Sequence, residues 1–145
     1  MNEFSVKVDG LDFLEKRLDE ARSKIADQYI KIINDSVIEI SSLAKSKVPI
    51  KTGLLKDSIG YSLYNTANGA SVYASAHYAP YVEFGTGEKF GIPIYGNVNM
   101  SKLENYAHTF KRNKAVIGLP YRPFMFNSYS EVYNKMLNRI KGITI

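Results

Sequence analysis

Between Asp9-Gly10 and Pro49, apolar residues recur at three- and four-residue steps. Leu11, Leu14, Leu18, Ala21, Ile25, Tyr29, Ile32, Ile33, Val37, Ile40 and Ala44 follow one another without a helix breaker. That period belongs to an amphipathic helix. Pro49 lacks a backbone N–H and restricts the residue before it, so the helix must stop at or before Val48. A continuous helix from 11 to 47 would be about 55 Å long at 1.5 Å per residue. This exceeds the width of a compact domain built from 145 residues. Either the helix bends near Ala26–Gln28 or one end leans on a neighbouring subunit.

Shorter periods flank this run. "EFSVKV" alternates Phe4, Val6 and Val8 with polar residues, as a half-buried strand does. After Pro49, "IKTGLLKDSI" reads as a turn in which Gly53 is free to take a positive φ. Residues 58–64 and 70–77 alternate around the turn residues "NTANG", which predicts a hairpin. In "YAPYVEFGTG", residues 78–87, the alternation of Tyr81, Val82, Glu83 and Phe84 predicts a third strand, with Pro80 placing its start at an edge or bulge. The long connection at 85–114 contains Ser101 and Glu104 at capping-box spacing, then Leu103, Tyr106, Ala107 and Phe110 on one helical face. That face packs either on its own domain or on another subunit. "AVIGL" at 115–119 reads as a last strand. Ser128 and Glu131 form a second capping pair before a helix at 129–141, and Gly142 stops it. The expected architecture is one α+β domain over 1–145: a small, mainly antiparallel sheet at 58–84 and 115–119, packed against the long helix and the C-terminal helix.

Several chemistries are closed or weakened by residue content. With no cysteine there is no disulfide, thiolate site or cysteine nucleophile. No apolar run approaches the length that spans a bilayer, and the first residues do not read as a secretion signal, so the expectation is a chain that stays in the cytosol after synthesis. "GTGEKFG" has one residue too many for a dinucleotide fingerprint and is followed by Ile92-Pro93 instead of a helix start. His77 and His108 lack metal-ligand spacing. Glu83 has no second acid nearby in sequence, as paired-carboxylate chemistry would require. Its expected role is structural, accepting backbone amides or pairing with a cation such as Arg122 or Lys56, because a buried, unpartnered carboxylate is costly. The reading is a non-enzyme with no cofactor and no metal. The net charge of +5 is dispersed and permits nucleic-acid contact without demanding it, so a basic DNA-binding domain is the alternative. Eleven tyrosines and no tryptophan suit either a β-rich surface or a half-wet protein interface.

Three patterns, in this order, resemble one family. Pro49, Thr52, Gly53, Leu55, Lys56, Ser58 and Ile59 carry the first, in "VPIKTGLLKDSI". Tyr78, Ala79, Tyr81, Val82, Glu83, Phe84, Gly85 and Thr86 carry the second, and Arg122, Pro123 and Phe124 the third. Lys51, Leu54 and Asn127-Ser128 depart from the usual residues. The chain resembles the neck and tail-completion (head–tail joining) proteins of long-tailed double-stranded DNA phages, the "gene product ten"-like group of lambdoid siphophages. The resemblance implies a non-catalytic virion protein, assembled in the host cytoplasm. Copies of it would form a ring, a hexamer being one candidate size, between the capsid connector or head-closure proteins and the tail-tube or tail-completion proteins. DNA would meet it only as the passing genome. Leu103, Tyr106 and Phe110 of the loop, with Tyr61 and Tyr73 of the sheet, are the candidate subunit interface, and the long helix would brace the outside.

Overall fold

A computed structural model describes residues 10–49, 53–66, 68–94, 99–111 and 118–143. The long helix, α1, runs unbroken from Leu11 to Lys47, continuous through Ala26–Gln28. Val48 ends it in extended conformation, one residue before Pro49. Its C-terminal half buries Ser36, Val37, Ile40, Ser41 and Ala44, whereas every residue from 11 to 20 is exposed. Gly53 then takes a φ of 80° and opens a single-turn helix, α2 (Leu54–Asp57), within the stretch whose sequence reads as a turn.

Strands β1 (Ile59–Asn65) and β2 (Gly69–Ala74) form the expected hairpin, antiparallel, with Ile59 opposite Ala74 and Tyr61 opposite Val72. The register is irregular between Ser62 and Asn65, next to the turn. The hairpin is anchored to α1, where the Asn34 side chain accepts the Tyr64 N–H at 2.6 Å.

Residues 79–84 do not form a strand. Ala79–Phe84 is a short helix, α3, with a proline in its first turn, where a missing N–H costs nothing. Ala79 and Glu83, four residues apart, share its buried side. Six residues cannot separate the two periods, since Glu83 and Phe84 are both buried and alternation therefore carries no information. A 3-10 turn at Gly87–Lys89 follows in place of any phosphate-binding helix start.

Helix α4 (Met100–His108) stands where the loop helix was expected, but its cap is Asn99, whose side chain accepts the Lys102 N–H at 3.1 Å, and not Ser101. The last helix, α5 (Phe124–Lys141), starts four residues before Ser128. Ser128 is therefore interior, fully buried, and donates its hydroxyl to the Phe124 carbonyl at 2.7 Å. Such back-bonding lets a serine sit inside a helix without an unpaired polar group. The strand expected at 4–8 and most of that at 115–119 lie outside the described residues, as does Thr52; Gly118 and Leu119 carry no strand pairing.

The fold is α+β, with a two-stranded antiparallel sheet among the described residues and α5 antiparallel to α1. Lys47 meets Glu131 at 2.6 Å, while Lys135 and Arg139 fork onto Glu39 at 3.2 and 3.1 Å. Falling numbers on one helix match rising numbers on the other. One buried cluster joins Ala44, Val48, Leu55, Ile59, Ala79 and Phe124; a second joins Phe84, Leu103 and Ala107. Loop helix α4 thus spends its apolar face on its own chain.

Candidate functional site

The three sequence patterns converge in space. Leu55 of the first, Ala79 of the second and Phe124 of the third lie in one buried cluster. Around this cluster the segment 82–91 is stitched to 118–126 by backbone hydrogen bonds. The Val82 carbonyl accepts the Arg122 N–H at 3.1 Å, and Thr86 N–H donates to the Leu119 carbonyl at 3.0 Å. The Thr86 hydroxyl accepts the Leu119 N–H in return at 2.8 Å. Gly85 sits between them at φ 68°, ψ −176°, a region essentially restricted to glycine. A Cβ there would stand 2.5 Å from the Lys89 carbonyl oxygen and 2.8 Å from that of Leu119. Gly118 is held as closely, since a Cβ on it would overlap the Thr86 carbonyl.

Glu83 is the centre of this junction. Only 5% exposed, it accepts the N–H of Met125 at 3.0 Å on one carboxylate oxygen and that of Phe126 at 2.9 Å on the other. These are orphan donors of the first turn of α5. Its N-cap is Pro123, which has no side-chain acceptor to offer them. A carboxylate from 42 residues away therefore does what a capping Ser or Asp does locally. Among the described residues, backbone amides take Glu83, and neither Arg122 nor Lys56, both exposed, does so. Burial pushes the carboxyl up to about 7, against the opposing pull of the Met125, Phe126 and Phe124 amides.

The remaining sequence candidates separate. Pro49 and Ser58 are half-buried near the first cluster, and the Ser58 hydroxyl donates to the Leu55 carbonyl at 2.8 Å. Tyr78 and Tyr81 are half-buried, with Tyr81 edge-on to Phe110 at 5.4 Å. Leu103 is buried against its own chain and Phe110 lies beside Phe84, so of the loop candidates only Tyr106 remains exposed. Tyr61 and Tyr73 are both exposed, but the register sets Tyr61 opposite Val72 and Tyr73 opposite Gly60. Neighbouring positions point to opposite faces of a sheet, so these two tyrosines do not form one patch.

His77 and His108 are exposed and pack against Tyr78 and Phe90, and among the described residues no cluster of metal-ligating side chains occurs. An open groove of about 640 Å³ between α1, β2 and α5 is lined by Ile33, Val37, Val72, Met125 and Met136, with Asn99 as one polar member. Among the described residues no carboxylate, histidine or lysine lines it. No helix among the described residues is long and apolar enough to cross a membrane.

The helix does not bend, and its N-terminal end, for which the sequence offered a neighbouring subunit as the alternative, exposes apolar side chains among the described residues. Leu11, Phe13, Leu14 and Leu18 stand on the N-terminal half of α1, all more than half exposed. The three- and four-residue spacing of Leu11, Leu14 and Leu18 was legible, but in sequence it merges with the core-facing spacing that follows, and Phe13 stands outside it.

No curated protein and no solved structure matches the chain. A family model described as "Bacteriophage HK97-gp10, putative tail-component" matches residues 12–85. The matched region takes in most of α1, the hairpin and α3 as far as Gly85, just over half of the chain. It includes the first sequence pattern and the second as far as Gly85, and leaves out the third, at 122–124, which the structure docks onto the second. The chain belongs to the HK97-gp10-like family of bacteriophage tail components.

Proposed function

We propose that the protein is a non-enzymatic structural component of a phage virion, forming a ring at the head–tail junction that joins the capsid connector to the tail tube. The family match over residues 12–85 carries this reading. A tail component works by contact with other virion proteins, and this chain has surface to give: an exposed apolar stretch on α1, with Tyr61, Tyr73 and Tyr106 exposed elsewhere. The junction at Glu83 supports the same reading, because its hydrogen bonds are spent within the chain and lock α3 to α5. A ring of identical copies needs one patch to meet a different patch on the next copy, a heterologous contact that closes.

Cryo-microscopy of the virion neck tests the proposal. The expected result is a closed ring of this chain between connector and tube. Finding only an isolated copy there, or none, would overturn it.

A further inference from the structure

The tip of the β1–β2 hairpin holds the chain's single Asn-Gly step, Asn68-Gly69. Asn68 is exposed and donates its N–H to the Asn65 carboxamide oxygen at 2.8 Å, while among the described residues no hydrogen bond engages its own carboxamide. Gly69 follows at φ 64°, and a Cβ built on it would meet nothing within 4 Å among the described residues. With no side chain on Gly69, its backbone nitrogen is open to attack on the Asn68 side chain. Gly69 pairs with Asn65 next to the irregular stretch of the register, so the step stands at the open end of the hairpin. An exposed loop tip of this kind tolerates chemical change to its backbone.

The other described asparagines are held out of this chemistry. Asn34, Asn105, Asn127, Asn134 and Asn138 lie inside α1, α4 and α5, where the next backbone nitrogen is committed to the carbonyl four residues before it. Asn34 also accepts the Tyr64 N–H, and Asn99 caps α4. Asn65 precedes the branched Thr66, and its carboxamide oxygen is taken by the Asn68 N–H.

We infer that Asn68 is a site of spontaneous, backbone-mediated deamidation. The Gly69 amide nitrogen attacks Asn68 Cγ, and the new N–C bond closes a succinimide. The Gly69 amide proton leaves with the side-chain NH2 group as ammonia. Water then adds to either ring carbonyl. Breaking the bond from the Gly69 nitrogen to Cγ leaves aspartate at position 68, whereas breaking the bond from that nitrogen to the main-chain carbonyl carbon leaves isoaspartate. Asparagine is among the residues whose side chains are lost to such chemistry, and water is the one co-reactant. Either product sets a carboxylate, an acceptor only, where a neutral amide stood. Isoaspartate also adds a methylene to the main chain at the entry to β2. The site is independent of the ring reading.

The full, folded chain tests this when it is incubated in mildly alkaline buffer, with circular dichroism to show that it stays folded, then digested and read by tandem mass spectrometry. The peptide containing Asn68 is expected to become heavier by about one mass unit, NH2 exchanged for OH, before any other described asparagine does so. Isoaspartyl methyltransferase is expected to label the product. Asn68→Gln is expected to lose the gain at this position, because its longer side chain must close a larger ring. A folded chain that keeps Asn68 intact while the same chain in denaturant converts would overturn the site, as would earlier conversion of another described asparagine. A product that the methyltransferase does not label would overturn the succinimide, since direct hydrolysis gives aspartate alone.

Discussion

The carboxylate of Glu83 accepts the backbone N–H of Phe126 at 2.9 Å, joining residues 43 positions apart. With the Met125 N–H on its other oxygen, it closes the first turn of α5 from outside that helix. Each oxygen faces an N–H donor, so both positions call for an acceptor, which even the hydroxyl oxygen of a protonated carboxyl remains and an amide NH2 is not; this sets the first expectation.

Glu83→Gln replaces one acceptor oxygen with an NH2 group that faces a backbone N–H. At mildly acidic pH the change is expected to destabilise the fold by about 1–3 kcal/mol, the cost of leaving a buried donor unmade. Guanidinium unfolding at pH 5 measures it. An unchanged midpoint would mean that the two amides find other acceptors.

The same carboxyl makes stability depend on pH. In the unfolded chain it releases its proton near 4.5, whereas in the folded chain burial holds the proton to about 7. Between these values the folded state binds a proton that the unfolded state has released, so folding takes one up. The contribution is present at the acid side of the window and is lost as pH rises through about 7, by roughly 3 kcal/mol if fully expressed. Unfolding curves between pH 5 and 8 should show the loss in wild type, and the gap to Glu83→Gln should narrow as pH rises. The ion-paired Glu39 and Glu131, both lowered by their lysine partners, act with the opposite sign and at lower pH.

Gly85→Ala sets a side chain into a glycine-only conformation and against the Lys89 and Leu119 carbonyls. The expected loss exceeds about 2 kcal/mol, since strain and overlap add. Thermal melting, or soluble yield if the variant folds poorly, reads it out.

Phe84 and Glu39 should differ sharply. Phe84 is fully buried between α4 and α5, so Phe84→Ala is expected to cost about 3–5 kcal/mol. Glu39 holds two cations, but both are well exposed, and Glu39→Gln should cost under about 1 kcal/mol and less still in high salt. Denaturant midpoints of the two variants test the ranking.

Affinity for free duplex DNA is expected to be small at about 0.15 M salt, despite the charge of +5. Lys47, Lys135 and Arg139 are engaged with Glu131 and Glu39, so part of the basic charge is already answered within the chain. Fluorescence anisotropy against a labelled duplex checks this, and tight binding with a steep salt slope would favour a DNA-gripping domain.

Long, strongly periodic features were legible from residues alone. The period from Leu11 onward and Pro49 behind it specify α1 to within its observed bounds, because each residue of a long helix repeats the same evidence. The hairpin followed from alternation around a turn, and α4 and α5 from their apolar faces. The caps were not legible: Asn99 and Pro123 begin helices where Ser101 and Ser128 had better local chemistry. A capping serine is favourable only if its side chain reaches the orphan donors, and the tertiary structure met those of α5 with Glu83 instead.

Sequence by itself determined the helical and hairpin periods, the stop after α1 and the need for Glu83 to find a partner, because these rest on local sterics and on the cost of burying charge. Only the tertiary structure decided that Ala79–Phe84 is helical, that Glu83 takes amides and not Arg122 or Lys56, and that Leu103 faces inward while Leu11, Leu14 and Leu18 do not. Each of those outcomes depends on which distant segment arrives beside the residue, and neither period nor composition carries that information.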